Sequence, residues 1–232
     1  MSSNQARSSG SRTTGGSRVR TEGAKRAEIL AAATDRFGRD GYEQTRWADI
    51  AGDVGVGPTA LYHYFESKHH CLYVIIDQAI EDFRARFAAI ATTEAEPEPA
   101  LLAILGDCFD LSVRDIQRNR LLVAEQGLLS TPRASPREEQ ARQAARARTR
   151  DLEFAWATFL SNAMQTGAIP ANDPRLLTRA VLGLYNSIWH WYRPDGILSL
   201  DAVAEFYRGR ILAMIGVPTA TAPRPQTPAG AA

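Results

Sequence analysis

Apolar residues recur along this chain at the three- and four-residue spacing of α-helices, and no stretch alternates in the way a β-strand would. Glycine and proline interrupt that pattern at intervals. The sequence therefore predicts an all-α protein of about nine helices. The predicted helices cover residues 23–39, 47–54, 58–64, 68–93, 100–109, a segment ending near residue 130, 137–166, 176–192 and 199–215.

The stretch from Thr45 to Phe65 predicts two short helices joined by a tight turn. Gly55 suits the left-handed conformation that ends a helix, Val56 can pack the turn against the core, and Pro58 is tolerated in the first turn of the next helix. Thr45 is expected to cap the first of the two helices through its side-chain oxygen. Two helices joined in this way form a helix-turn-helix, whose second helix enters the major groove of DNA.

The second of these helices carries an uncommon outer face, because it offers hydroxyl groups, a ring nitrogen and flat apolar edges before the first cationic side chain at Lys68. Such groups can reach phosphates and thymine methyl groups. Leu61 and Phe65 are assigned to the core. Arg46 and Lys68 are expected on phosphates and the remaining residues nearer the base edges. The predicted DNA-binding residues are Thr45, Arg46, Thr59, Tyr62, His63, Tyr64 and Lys68.

An ordered string of motifs between Gly41 and Lys68 resembles the N-terminal domain of the tetracycline-repressor (TetR) family of bacterial regulators. The motifs are Gly41-Tyr42-Glu43-Gln44-Thr45, Asp49-Ile50-Ala51, Gly55-Val56, Leu61-Tyr62-His63-Tyr64-Phe65 and Ser67-Lys68. The resemblance implies a helical homodimer whose first three helices bind a palindromic operator and whose larger C-terminal domain binds a small inducer. The chain departs from the family at Arg46, Ala48 and Ala60, so the operator preference is not carried over.

Charge is balanced overall, with 27 basic and 26 acidic residues, but it is unevenly distributed. Basic residues are concentrated before the DNA-binding helices, and residues 1–22 are predicted to be a disordered basic tail that is free to touch DNA. Residues 23–67 are assigned to the DNA-binding domain and residues 68–216 to a ligand-binding and dimerisation domain. Residues 217–232, rich in Pro, Ala and Thr, are predicted to be a second disordered tail.

Several classes of protein are disfavoured by what the sequence lacks. No apolar run approaches the roughly 20 residues that span a membrane, and no secretory signal is present, so a cytoplasmic protein is expected. Cys71 and Cys108 have no partners at metal-ligand spacing, and no catalytic or cofactor-binding motif is found. We therefore expect no metal, no cofactor and no enzymatic activity, with a helical adaptor as the alternative of a different class.

Large aromatic residues fall on the core-facing stripes of the long fourth helix and of the C-terminal helices. They are predicted to converge on a hydrophobic inducer, although convergent aromatics also form plain cores. The predicted ligand-binding residues are Phe83, Phe87, Leu105, Phe109, Trp156, Phe159, Leu160 and Trp189.

The segment Trp189–Ser199 is similar to one in TetR-type regulators of fatty-acid and sterol catabolism, whose inducers are acyl-CoA thioesters. The same residues also read as a helix end and a turn, with Pro194 ending one helix and Ser199 capping the next. The predicted function is a repressor released by a hydrophobic molecule, with acyl-CoA among the candidates. A regulator of drug efflux is the alternative.

Two further features concern the C-terminal helices. The arginine-rich first half of helix 137–166 is interpreted as a solvated face in preference to an anion site, because acidic residues accompany it. Helix 176–192 is apolar on two faces, with Leu182, Tyr185 and Trp189 on the second. One of these faces is expected to pack within its own domain and the other against a second subunit, in a symmetric interface built with the last helix.

Overall fold

The computed structural model describes residues 14–217, and within that range it contains nine α-helices and no strand. The predicted all-α class is confirmed. The helices are α1 (Thr14–Asp40), α2 (Trp47–Asp53), α3 (Pro58–Tyr64), α4 (Lys68–Thr93), α5 (Pro97–Asp107), α6 (Val113–Glu125), α7 (Pro136–Gln165), α8 (Pro174–Trp191) and α9 (Leu200–Ile215). A single 3₁₀ segment, Gln126–Ser130, follows α6 and is called the 126–130 turn below.

Three predicted boundaries are wrong. Helix α1 begins at Thr14 rather than Gly23, so residues 14–22 of the predicted disordered tail are helical. Adding residues to an existing helix is far less costly than nucleating one, and nothing between Thr14 and Gly23 blocks that extension. Pro97, predicted to lie in a linker, occupies the first turn of α5, where its missing N–H costs no hydrogen bond. Val217, predicted to begin the C-terminal tail, is buried, and its N–H donates to the carbonyl oxygen of Leu212 at 3.0 Å.

The helix-turn-helix forms as its glycines and prolines predict. Gly55 has a φ of +65°, and the N–H of Val56 donates to the carbonyl oxygen of Ala51 at 3.0 Å, which closes the turn after α2. Pro58 lies in the first turn of α3, whose Leu61 is fully buried together with the neighbouring Phe65. The rest of the predicted tails, residues 1–13 and 218–232, lies outside the described residues.

Helix α4 joins two hydrophobic cores. Its first half packs Leu72, Ile76 and Ile80 into the core that α1, α2 and α3 build. Further along α4, Phe87 belongs to the core of the C-terminal helices, which is centred on the fully buried Trp156 and Trp189. One rigid helix therefore connects the surface that would meet DNA with the interior of the C-terminal domain.

Candidate operator interface and ligand cavity

Helix α3 presents an exposed face made by three of its four predicted DNA-binding side chains. Thr59 and His63 are exposed, and Tyr62 keeps 53% of its surface accessible. Tyr64 is half-buried and packs against the N-terminal core, so its ring mainly supports the helix. The exposed side chains can donate and accept hydrogen bonds, and the Tyr62 ring offers an apolar edge. This face is able to contact base edges and phosphates together.

Two of the predicted DNA-binding residues, Thr45 and Lys68, are occupied inside the protein instead. The Thr45 hydroxyl is buried and donates to the carbonyl oxygen of Gly41 at 2.8 Å. Arg46, not Thr45, is the N-cap residue of α2, and no side chain caps that helix, so the predicted capping role is wrong.

The Lys68 ammonium lies 4.3 Å from the centroid of the Tyr42 ring and donates to the Tyr42 carbonyl oxygen at 2.7 Å. It also lies 3.2 Å from the carbonyl oxygen of Thr45. Lys68 thus holds the loop between α1 and α2, and a phosphate would have to compete with three carbonyl oxygens for it.

Arg46 is the cation that this part of the chain leaves available. Its side chain is exposed, and it forms no ion pair with any residue between 14 and 217. Neighbouring cations are engaged: the Arg36 guanidinium binds the Asp53 carboxylate at 2.6 Å, and Arg26 lies over the Phe65 ring. The predicted phosphate role therefore suits Arg46 far better than Lys68.

A cavity of about 590 Å³ opens between α4, α6, the 126–130 turn, α7 and α8. Its apolar wall includes Phe83, Leu122, Leu152, Leu182 and Trp189. Polar side chains interrupt that wall, and they are Asn119, Gln126, Ser130, Arg146, Thr149, Arg150, Glu153 and Asn186. A volume of this size is in the range of sites for drug-sized ligands, on the order of 300–1,000 Å³. The mixed lining suits a molecule with a large apolar body and an anionic or polar end.

The aromatic side chains converge, as the sequence predicts, but mostly not on this cavity. Only Phe83 and Trp189 of the eight predicted ligand-binding residues line it. Five others are buried in the closed core of the C-terminal helices, and Phe159 packs partly buried against the same core. These five are Phe87, Leu105, Phe109, Trp156 and Leu160. The centroids of Phe87 and Trp156 are 5.0 Å apart, which leaves no room for a ligand between them.

Both apolar faces of α8 lie inside the subunit. Leu182, Tyr185 and Trp189 line the cavity, and the opposite face is buried in the core of the C-terminal helices. Neither face is therefore open to another subunit, and the expected interface of this helix and α9 stays a prediction. Asn186 lies on the cavity-lining face, between Leu182 and Trp189. A polar residue inside an apolar stripe was the signal in the sequence that could have indicated a cavity.

The arginine-rich half of α7 is only partly the solvated face that was expected. Arg142 is buried, and its guanidinium forms two hydrogen bonds with the Glu139 carboxylate at 2.6 and 2.8 Å. These bonds, together with those from the backbone N–H of Arg133 and the side chain of Gln143, lower the pKa of Glu139 to about 2. Arg148 pairs with Asp77 and Glu81 of α4. Arg146 and Arg150 stay exposed at the cavity, without an ion pair in the described part of the chain.

Hydrogen bonds connect the cavity wall to the N-terminal half of α4, which packs into the core of the DNA-binding helices. The Tyr73 hydroxyl donates to the carbonyl oxygen of Leu128 at 3.2 Å and accepts from Nε of Arg133 at 2.6 Å. Arg142 donates to the carbonyl oxygen of Leu129, which lines the cavity. The 126–130 turn is thereby held on one side by the first turns of α4, while its other side faces the cavity.

Two histidines lie where α4 meets the DNA-binding domain. The His69 ring packs edge-on against Tyr42 and tilted against Tyr73. Nδ1 of His70 accepts from the backbone N–H of Glu66 at 3.2 Å. Burial lowers the pKa of both imidazoles, and the charge of Arg133 lowers that of His69 further. These rings favour the neutral form in the folded protein.

Among residues 14–217, no group of three or more His, Cys, Asp or Glu side chains is arranged to hold a metal ion. None of the described helices is long and apolar enough to cross a membrane.

Two sequence families match the chain. Residues 29–73 match the family described as "Bacterial regulatory proteins, tetR family", and residues 128–215 match "Tetracyclin repressor-like, C-terminal domain". The chain is 27% identical over 195 residues to the HTH-type transcriptional repressor KstR2 of Mycobacterium tuberculosis, which covers 82% of this chain and 92% of that protein. It is 40% identical over 86 residues to the HTH-type transcriptional regulator RutR of Escherichia coli, a match of 34% of this chain and 40% of RutR.

Solved structures share the fold. AibR in complex with isovaleryl coenzyme A and operator DNA superposes with a TM-score of 0.68 at 22% identity, covering 84% of this chain and all of that one. The ketosteroid transcriptional regulator KstR2 of M. tuberculosis superposes with a TM-score of 0.67 at 24% identity, covering 83% of this chain and 95% of that one.

Proposed function

Since the chain belongs to the TetR family of bacterial regulatory proteins, we propose that it is a repressor that binds a palindromic operator as a homodimer and is released by a small hydrophobic molecule. Members of this family regulate transcription and are not enzymes. We further propose that the inducer is a coenzyme A thioester and that the protein acts in the cytoplasm, where its operator would be. The cavity of about 590 Å³ is the observation that carries the ligand part of this proposal.

The operator would be contacted by α3 and by Arg46. Thr59, Tyr62 and His63 stand on one exposed face, at the position where a helix-turn-helix places its second helix in the major groove. Arg46 would bind a phosphate beside it and fix the orientation of the helix. Phosphate contacts of this kind add affinity for DNA without adding sequence specificity.

A thioester inducer is supported by the cavity lining. Phe83, Leu182 and Trp189 offer an apolar surface for an acyl or steroid body, and Arg146 and Arg150 offer positive charge at its edge. The fold is shared with AibR, whose structure holds isovaleryl coenzyme A, and with KstR2, which is described as a ketosteroid regulator. The ligand of AibR makes a coenzyme A thioester the first class to test.

Release would proceed through the 126–130 turn. A ligand against Leu129 and Ser130 would displace the carbonyl oxygens that Tyr73 and Arg142 hold, and Tyr73 belongs to α4. A shift of α4 changes the spacing of the two α3 helices in a dimer. An inducer that prefers the non-binding state by about 1.4 kcal/mol per site already lowers operator affinity tenfold.

The test is to titrate oleoyl-CoA, a steroid-acid CoA thioester and the matching free acids against the complex of the protein with its upstream operator, followed by fluorescence anisotropy. We expect release at micromolar CoA thioester and none with the free acids at the same concentration. Release by hydrophobic drugs alone would replace this proposal by regulation of drug efflux. A protein that never binds DNA upstream of its own gene would instead be the helical adaptor.

A further inference from the structure

A groove of about 270 Å³ between α7 and α8 adjoins the ligand cavity, and three of the seven residues that line it are arginines. Arg150 of α7 and Arg175 and Arg179 of α8 lie around it, with Glu153 as the single acidic residue of the lining. Arg150 and Glu153 line the cavity as well, so the two spaces share a wall.

The three guanidinium groups have no ion-pair partner among the side chains that the structure describes. None of them forms a salt bridge or a side-chain hydrogen bond with another residue between 22 and 217. The nearby carboxylate of Asp173 is used by the backbone, because it accepts from the N–H groups of Arg175 and Leu176 at 2.8 and 3.0 Å. Three guanidinium groups and one carboxylate, that of Glu153, give the groove a net positive charge that favours an anion.

On these grounds we propose that the groove binds the phosphates of an adenine nucleotide that is joined to the apolar body in the cavity, which is the chemistry of coenzyme A. Arginine forms paired, charge-assisted hydrogen bonds with phosphate oxygens, and three arginines can serve several phosphates at once. The exposed ring of Phe154 lines the same groove and offers a flat face on which an adenine can stack.

The sizes of the two spaces support a nucleotide in the groove and an apolar body in the cavity. The cavity of about 590 Å³ accepts an acyl or steroid body, but it leaves no room for a nucleotide beside that body. The pantetheine arm, which joins the thioester to the nucleotide, would then pass Arg150, which borders both spaces. This inference rests on the proposed coenzyme A inducer and adds where its nucleotide binds.

The test compares ligands and variants by isothermal titration calorimetry on the full chain. The ligands are oleoyl-CoA and the oleoyl thioester of N-acetylcysteamine, which keeps the thioester and lacks the nucleotide. The variants are Arg175→Gln/Arg179→Gln and the control Arg208→Gln, which removes an exposed arginine of α9 that has no ion pair among the described residues. Light scattering and operator binding without ligand show whether each variant keeps its assembly and its DNA affinity.

The double variant is expected to weaken oleoyl-CoA binding by about tenfold to a hundredfold, because it removes two charge-assisted contacts to phosphate that are exposed and therefore partly screened by solvent. Its affinity for the oleoyl thioester of N-acetylcysteamine should change by less than about twofold, and the Arg208→Gln variant should match the wild type with both ligands.

If the double variant loses equal affinity for both thioesters, or keeps its affinity for oleoyl-CoA, the groove is not the nucleotide site, and the proposed inducer is unaffected. A wild-type protein that binds both thioesters equally well would overturn the groove but keep a hydrophobic inducer. Binding of neither ligand would overturn the groove together with the proposed thioester class.

Discussion

Arg46 and Lys68 are both cationic and both border the helix-turn-helix, yet their surroundings give them different roles. The Lys68 ammonium is directed inward to the carbonyl oxygens of Tyr42 and Thr45, whereas Arg46 is exposed and unpaired within residues 14–217. A cation that already serves carbonyl groups has less to gain from a phosphate. Exposure and hydrogen bonding, more than residue type, decide which of the two cations we propose as the DNA contact.

Arg46→Ala should therefore weaken binding to operator and to random duplex alike, and it should make the slope of log affinity against log salt shallower by about 0.9 per protomer. His63→Ala should weaken operator binding selectively, by about 1–3 kcal/mol if the ring reads a base. Gel-shift titrations on both duplexes measure these effects. If the Arg46→Ala variant binds both duplexes with wild-type affinity and salt dependence, the proposed phosphate contact of Arg46 is wrong.

Lys68→Met should reduce stability more than DNA affinity. It leaves carbonyl oxygens of the loop between α1 and α2 without their donor, at a cost of about 1–3 kcal/mol for buried groups and less for exposed ones. Urea denaturation of the variant measures that loss. An unchanged denaturation midpoint with a weakened salt dependence of DNA binding would instead restore the phosphate role.

His69 and His70 predict a loss of stability in mild acid. Because burial lowers their pKa values in the folded protein, the unfolded chain takes up protons first as the pH falls below about 6.5. The contribution of the two histidines to the free energy of unfolding is complete above that pH. It is lost as the pH falls towards their pKa values in the folded protein. Urea midpoints at pH 7.5, 6.5 and 5.5 should therefore decrease in that order.

The His69→Gln/His70→Gln variant should show a weaker decrease over the same pH range, because it removes the two groups that titrate differently in the folded and unfolded chains. The exposed His190→Gln is the matched control. An equal decrease in the double variant and the wild type would show that other groups cause the pH dependence.

At the scale of elements, helices α1 and α6 approach each other closely at Gly38. A Cβ atom on Gly38 would lie 2.8 Å from Cγ and 2.9 Å from Cβ of Gln117, which is closer than packed carbon atoms approach. Glycine is needed there for space and not for its backbone angles, since its φ is not positive. The contact joins the DNA-binding helices directly to the C-terminal domain.

Gly38→Ala should lower the free energy of unfolding by about 1–3 kcal/mol, the usual cost of overpacking, although alanine is the better helix former. The matched control is Gly52→Ala in α2, where no atom lies within 4 Å of the added Cβ. That control should be stabilising by up to about 1 kcal/mol. Urea denaturation compares the two, and equal effects would contradict a close contact at Gly38.

The 126–130 turn is the second element that joins the two domains, and its hydrogen bonds to Tyr73 predict a coupling role. Tyr73→Phe removes the bonds to the Leu128 carbonyl oxygen and to Arg133 while it keeps the ring. We expect the variant to bind operator and inducer, and to need several-fold more inducer for release.

The inducer concentration needed to release the operator is measured by fluorescence anisotropy. The control is Arg137→Gln, which removes only a long and exposed ion pair to Glu66. A Tyr73→Phe curve identical to the wild type would show that the signal does not pass through this turn.

At the scale of the whole molecule, large apolar side chains remain exposed along α8 and α9. Leu176 and Phe206 expose 61% and 56% of their surfaces, and Trp191 and Met214 also lie on these helices. The inner face of α8 is used by the cavity, so this outer surface is the one left for a second subunit. A homodimer would cover it with the same residues of the partner.

Leu176→Glu/Phe206→Glu should therefore produce a monomer, because each charge would face apolar surface and its own copy across the symmetry axis. Operator affinity should fall by more than about a hundredfold, since one half-site alone is bound weakly. Light scattering and gel shifts measure the two effects, and thermal unfolding checks the fold. Leu102→Glu, an exposed leucine of α5, is the control and should stay dimeric.

The sequence alone determined the elements that depend on neighbouring residues. Helical spacing set the number of helices, Gly55 set the turn of the helix-turn-helix, and Ser67 and Ser199 cap α4 and α9 as their positions predict. Such features are encoded within a few residues, because spacing and φ preferences act over one helical turn.

The tertiary structure alone decided which groups are free and where space remains. Lys68 is occupied by a loop 26 residues earlier in the chain, and no local pattern contains that contact. Helical spacing likewise placed Phe83 and Phe87 on one face of α4, but only the packing of α7 and α8 opens a cavity at the first and closes the core at the second. A hydrophobic pattern specifies which face of a helix is buried, whereas the distance between helices at each level depends on side chains from the whole fold.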